Sequence, residues 1–260
     1  MDYPFWVNNF DRVKDHRLAY PSVAKIFEQP VSFWYGDRQG KYSCNIDDGL
    51  GRLMKRVDPQ LPVLVIYNIP ERDVGHYSKG GAKTREAYLE FLHAFCRGIG
   101  DRAPIVIFEP DAVSHSTLMD KSIAESRLSL IKEGLDVLTS NSNALVYVDV
   151  GHSNWLAPSK VAKLLDIVSN DKVRGFSVNV SNFRSTKESM KWSLQICEQR
   201  PNDHFVIDTS RNGSGPLGND WCNPPGRSLG IPPTCATDEE KCDAFLWIKI
   251  PGESDGKCNG

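Results

Sequence analysis

The chain has 260 residues, 40% of them hydrophobic and 25% charged, with a formal net charge of −2. That balance fits a folded domain with a sizeable core and excludes the basic surfaces that bind nucleic acid or anionic membrane. No apolar run nears the ~20 residues that cross a bilayer, and MDYPFWVNNF lacks the basic region and apolar stretch of a signal peptide.

In chain order, seven segments read as strands. They are VSFWYG (31–36), VLVIYNIPERD (63–73), IVIFEPD (105–111), LVYVDVGHSNW (145–155), GFSVNV (175–180), FVIDTSR (205–211) and FLWIKIPGESD (245–255). Apolar runs without alternation are buried on both faces, as in a parallel sheet covered by helices. Helical periods fall between them. Residues 83–98 place Tyr88, Phe91, Leu92, Phe95 and Cys96 on one stripe with Gly98 as a stop, and 121–139 does so with Ile123, Leu128, Ile131, Leu135 and Leu138. Segments 159–169 and 186–199 complete the alternation from Val63 onward. The expected fold is α/β, a distorted (β/α) barrel of about seven mainly parallel strands with its site at their C-terminal ends. No linker, repeat or low-complexity tract divides the chain, so 1–260 is expected to be one domain.

Residues 211–235 are dense in Gly, Pro and Asn without a period, which predicts a long ordered loop of functional kind. Of the seven cysteines, Cys222, Cys235, Cys242 and Cys258 fall in this loop-rich end, fitting disulfides and an oxidising compartment. Cys96 and Cys197 fit buried thiols better, and the odd total leaves one thiol unpaired.

The strand ends deliver Asp73, Glu109, Asp111, Asp149, Asp208, Glu253 and Asp255 to one rim, with Tyr67, His152, Trp155 and Lys249. A carboxyl closing an apolar strand is partly desolvated, which favours its protonated form and suits Asp111 to acid work. Asp73, with Arg72 beside it, comes from the neighbouring strand, and two close carboxyls do not both ionise cheaply. Such a pair suits glycoside hydrolysis, where an acid serves the leaving oxygen and a carboxylate activates water. Each strand-end Asp or Glu alone is as easily a helix cap, and an oxygen-rich cluster also suits Mg²⁺ or Ca²⁺, although no Gly-rich phosphate loop accompanies this one. Trp34, Trp155 and Trp221 sit in turn- or loop-like contexts near strand ends, where exposed rings stack on sugars; Trp6, Trp192 and Trp247 read as core. The Asn-x-Ser triplets at Asn179 and Asn212 read as chance matches.

In order, YPFWVN (3–8), YNIPERD (67–73), IFEPDAV (107–113), VDVGHSNW (148–155), NVSNF (179–183), IDTSRNG (207–213), WCNPPGRSLG (221–230) and WIKIPGESDG (247–256) resemble glycoside hydrolase family 6, the inverting cellulases. The resemblance implies Asp111 as general acid and Asp73 as the carboxylate that raises its pKa and relays a proton through water. It implies Asp255 as the other candidate for the base, Tyr67 beneath the distorted sugar, and Ser78 holding the attacking water. Lys249, Glu253, His152 and Asn182 would bind substrate, and Trp34, Trp155 and Trp221 would stack on it. Asp149, Arg72 and Arg211 would support the cluster. Cys222 and Cys258 would form a disulfide. No cofactor or metal is implied; the implied ligand is a β-1,4-glucan, and the protein would be a secreted monomer.

Three departures from the family pattern stand out. Val74 stands where relatives carry a further Cys. Only two residues separate Asp255 from Cys258, where the cellobiohydrolases carry a long insertion that roofs a tunnel, and Pro158 stands where some of them have a Trp. The resemblance therefore implies an open cleft and internal cleavage, an endo-1,4-β-glucanase. Family members continue past the position of Gly260 into a terminal helix, so the chain is expected either to be truncated or to end its fold short of it. An exo-acting cellobiohydrolase and a non-catalytic β-glucan-binding protein are the rivals.

Overall fold

The computed structural model describes residues 5–8, 15, 18–36, 46–75 and 78–258. Seven strands, β1 (Phe33–Tyr35), β2 (Val63–Ile66), β3 (Ile105–Phe108), β4 (Leu145–Asp149), β5 (Gly175–Val178), β6 (His204–Asp208) and β7 (Cys242–Leu246), form one sheet in chain order. Every neighbouring pair is parallel, as the unbroken apolar runs require. The expected (β/α) fold is therefore present as a curled half-barrel. Alternate residues divide between two cores. Val63, Val65, Ile105, Ile107, Tyr147, Val206, Ala244 and Leu246 fill the concave interior, while Leu64, Ile66, Val106, Phe108, Val146, Val148, Phe205 and Ile207 pack outward under the helices.

Among the described residues β1 and β7 share no ladder. The seam is crossed instead by the Ser32 amide donating to Trp247 O at 3.2 Å, by Ser32 Oγ donating to Ile248 O, and by Trp34 Nε1 donating to Ile248 O at 2.9 Å. Trp34 thus lies within a strand and not in a turn.

The longer helices are α1 (Ile46–Val57), α2 (Arg85–Ile99), α3 (Lys121–Asn141), α4 (Pro158–Val168) and α5 (Thr186–Cys197), with single turns of α-helix at Ala24–Phe27 and Ala112–His115. Their starts follow local chemistry: Thr84 Oγ1 accepts from Ala87 N at 3.1 Å, Ser185 Oγ accepts from Glu188 N at 3.2 Å, and Pro158 opens α4. Gly98 does not stop α2, which runs to Ile99. A Cβ on Gly98 would lie 2.8 Å from Leu50 Cβ, so this glycine lets α1 and α2 approach closely. Ile123 is half exposed and off the core stripe of α3, since it lies about 60–140° around the helix from the stripe's other members. Trp6, Trp192 and Trp247 are buried, as are the Cys96 and Cys197 thiols. Residues 211–235 hold no named helix or strand. Cys44 and the first residues of YPFWVN lie outside the described residues.

Candidate active site

The rim at the strands' C-terminal ends is built by backbone in unusual conformations. Glu71, Asp73, Val74, Glu109, Asp111, Asn179 and Ser181 all have positive φ, between 48° and 68°. Non-glycine residues adopt this region only where surroundings hold them there, and such residues gather at functional sites. What holds them is a set of buried carboxylates at the strand ends, each accepting amides from a neighbouring segment.

Glu109, one residue past β3, is 1% exposed and accepts from Asn68 N at 3.0 Å and Ile69 N at 3.1 Å through Oε2. It fixes the segment that carries Tyr67 and Asp73. Gly81 closes under the same segment, where a Cβ would sit 1.9 Å from Ile69 O at φ +94°. Asp149 ends β4 with no exposure and accepts from Asp111 N at 2.8 Å, Gly151 N at 3.0 Å and Ser177 Oγ at 3.0 Å. It lies beneath the cleft and not on its wall. Asp208 ends β6 and does the same for the segments after β5 and β7, accepting from Ser181 N and Lys249 N, each at 3.0 Å. Its bonds to the Ile248 and Lys249 amides replace the ladder there. The seventh strand therefore begins at Cys242 and ends at Leu246, three residues earlier at its start than the apolar run FLWIKI suggests.

A cavity of about 460 Å³ opens above these anchors. Tyr67, Asp73, Ser78, Asp111, His152, Asn182, Arg211, Lys249 and Asp255 line it together with Trp34, Trp155 and Trp221, so most of the residues singled out in the sequence converge. Glu253 lines an adjoining depression that shares Trp34, Tyr67, Ser78 and Lys249, and it reaches Lys249 Nζ at 3.3 Å. Arg72 braces the site from the side: Nη1 donates to Tyr67 O at 2.7 Å, Nε donates to Ser78 O at 2.8 Å, and the guanidinium lies 4.8 Å from the Tyr67 ring centroid. Trp34 meets Tyr67 edge-on at 5.5 Å.

Asp111 has the electrostatics of an acid. Its Oδ1 is buried with no hydrogen-bond partner among the described residues. Burial first, and then the Asp149 and Asp73 charges, hold its carboxyl well above the ordinary aspartate range. Burial also pushes Asp149 and Glu109 each up to about 7. Asp73 accepts the Ser78 amide at 2.7 Å. Asp255 is tied differently: Arg211 meets its two oxygens at 2.9 and 3.1 Å, and Asn223 N donates to Oδ2 at 3.0 Å. Burial, then Arg184, lowers His152 to about 4, so its ring is a neutral donor–acceptor at ordinary pH.

Several contributors escaped sequence reasoning. Asn223 clamps the Asp255 segment by accepting Asp255 N at 2.7 Å and donating to Gly256 O at 2.9 Å. His115 packs edge-on against Trp155 at 5.0 Å, with His152 at 5.6 Å beside it. The Cys222–Cys258 disulfide, by contrast, is one that the resemblance implies; it is present, with Cα atoms 6.0 Å apart, and it ties the Trp221 loop to the Asp255 segment. Asn179 and Asn212 are buried and donate to Arg184 O, so these amides are structural and not glycan acceptors. Among the described residues no group of three or more His, Cys, Asp or Glu side chains could hold a metal ion.

This half-barrel with its carboxylate-lined cleft is matched by the family model for glycosyl hydrolases family 6 over residues 7–260. The chain belongs to that family. Endoglucanase 1 of Streptomyces sp. (strain KSM-9) is 38% identical over 95% of this chain, and endoglucanase A of Cellulomonas fimi is 39% identical over 92%. The family 6 chain spans 69% of the former and 52% of the latter. Among solved structures, the endoglucanase Cel6 of Mycobacterium tuberculosis, in complex with methyl-cellobiosyl-4-deoxy-4-thio-β-D-cellobioside, superimposes with a TM-score of 0.92 at 38% identity. That match covers 99% of this chain and 90% of that one.

Proposed function

We propose that this family 6 protein is a secreted endo-1,4-β-glucanase that hydrolyses internal bonds of cellulose or a related β-glucan with inversion at the anomeric carbon. The observation that carries the reading is the state of Asp111, a carboxyl with a buried, unpartnered oxygen beside two like charges and above the floor of an aromatic-lined cleft. Such a group keeps its proton at working pH and gives it to the leaving glycosidic oxygen. A water approaching the opposite face of the sugar then loses its proton through Asp73 or Asp255. Tyr67 supports the sugar as it flattens toward the oxocarbenium-like transition state, and the donors of Lys249, Asn182 and His152 meet its hydroxyls. Arg211 occupies both oxygens of Asp255, which favours Asp73 as the group that relays the proton, with the Ser78 segment held against it.

The endo reading draws on the short span between Asp255 and Cys258, which the disulfide and Asn223 hold down on the Trp221 loop. Trp221 is 50% exposed at the cleft edge. A chain segment lowered onto such a surface needs no free end. The disulfide and the naming of relatives as endoglucanases support an extracellular setting.

Proton NMR of cellohexaose digestion tests the reading. An early excess of the α-anomer at new reducing ends is expected. Early β-anomer would exclude single displacement, and no cleavage by folded protein would leave a β-glucan-binding protein. Fast viscosity loss with mixed oligomers separates endo from exo action, which yields nearly pure cellobiose.

A further inference from the structure

Asp208 has no part in the proton transfers described above, yet it is the most heavily engaged carboxylate at the rim. Its side chain is 1% exposed. Oδ2 accepts from Ser181 N and Lys249 N, each at 3.0 Å, and Oδ1 accepts from Ser210 N at 2.9 Å and Ile248 N at 3.3 Å. The four donors are backbone amides from three separate segments, those following β5, β6 and β7. Each segment places a cleft-lining side chain at the anchored residue or one residue beyond it: Asn182 after Ser181, Arg211 after Ser210, and Lys249 itself. The segments are also joined to one another, because Arg211 Nη2 donates to Ser181 O and Asn179 Nδ2 donates to Asp208 O at 2.9 Å. The opposite side of the cleft hangs from other groups, Asp149 under Asp111 and Glu109 under the Tyr67 segment.

We propose that Asp208 is a positioning residue that sets, through these four amide bonds, where Asn182, Arg211 and Lys249 meet the sugar chain, and so governs glucan affinity without touching the glucan. Chemistry makes the requirement specific. Only a carboxylate presents acceptors at both ends of a side chain this short; an amide in its place turns an NH₂ toward two N–H donors whichever way it flips. Two of the four bonds are then lost, and two buried amides are left unsatisfied. The inference rests on the glucanase reading for its kinetic arm only.

The experiment is Asp208→Asn, assayed on cellohexaose and followed by amide hydrogen exchange. Losing the shared anchor should raise KM by about tenfold or more, the scale of one to two buried hydrogen bonds, while kcat changes by less than about threefold and the pH limb set by Asp111 stays in place. Exchange should speed up together at the donor pair that the new NH₂ faces, Ser181 with Lys249 or Ser210 with Ile248, with β2 and β3 still protected. A kcat loss at unchanged KM, or unchanged protection at all four amides, would overturn the proposal. If the variant does not fold, wild-type protection factors are followed down an acid series. A shared anchor requires the four amides to open in one step before β2 and β3, and separate openings would overturn the proposal. If the wild type cleaves no β-glucan, the glucanase reading falls while the exchange arm still decides this one.

Discussion

At the scale of single residues, the site works by withholding partners from one carboxyl and supplying them to the rest. Asp111 N is held by Asp149 while its Oδ1 finds no partner among the described residues, so the group is oriented by its backbone and kept protonated by its surroundings. Asp111→Ala should therefore lower turnover of unactivated glucan by about 10²–10⁴-fold, the range of general acid catalysis. The loss should shrink on aryl cellobiosides, whose leaving groups need no proton; steady-state kinetics on both substrates checks this, and equal losses would contradict it. Glu109 carries a second prediction. Its carboxyl lies above the ordinary value of 4.5, at about 7, chiefly because of burial. A raised acid binds its proton more tightly folded than unfolded, so its contribution to stability is complete below the unfolded value and is lost as pH climbs to about 7, by about 3 kcal/mol in all. Glu109→Gln, which keeps a carbonyl acceptor for Asn68 and Ile69, should flatten that fall between pH 5 and pH 8. Urea midpoints across the window measure it, and parallel curves for variant and wild type would refute it.

At the scale of elements, the strands were legible because burial on both faces leaves an apolar run that polar residues interrupt only at the rim. The longer helices after β2 were legible from their apolar stripes. Helix α1 was not, although Leu50, Leu53, Met54 and Val57 follow a helical spacing, because Gly49 and Gly51 lower the propensity of the same stretch. The Asp73, Asp111 and Tyr67 cluster could be read from strand-end chemistry. The division of labour among the carboxylates could not, since Asp149 and Asp208 are strand-end aspartates like any other until their amide partners are seen. The disulfide shows the same limit: the chain brings Cys222 and Cys258 to hand, and only the fold shows that they lock Asn223 onto Asp255. Cys258→Ser should cost about 2–4 kcal/mol, as expected for closing a loop of this size. Because the Asp255 segment is freed with it, activity at a temperature where the variant remains folded should also fall. A variant that loses stability with full activity would separate the two roles assigned to the bond.

At the scale of the whole molecule, the half-barrel separates function from stability along the strand axis. The C-terminal rim carries strained backbone, buried charge and a seam between β1 and β7 crossed by three hydrogen bonds from Ser32 and Trp34. The opposite end is held by a compact polar cluster. Asp243, near the start of β7, accepts from Tyr147 Oη at 2.6 Å and from Arg174 at 2.8 and 2.9 Å, and lies 3.0 Å from His204 Nδ1. Those partners come from β4, the residue before β5, and the first residue of β6, so one carboxylate ties four successive strands. Its side chain is 9% exposed while that of Arg174 is 34% exposed, which places the pair between buried and surface cases. Asp243→Asn should thus destabilise the fold by about 3 kcal/mol, near the low end for breaking a buried pair. Because the cluster lies at the end of the sheet remote from the cleft, kcat and KM on cellohexaose should be unchanged at temperatures where the variant is folded. Urea unfolding and steady-state kinetics on the same preparation test both halves. A fall in kcat from well-folded Asp243→Asn protein would show that the two ends of the half-barrel are coupled and that the rim depends on strand spacing set at the far end.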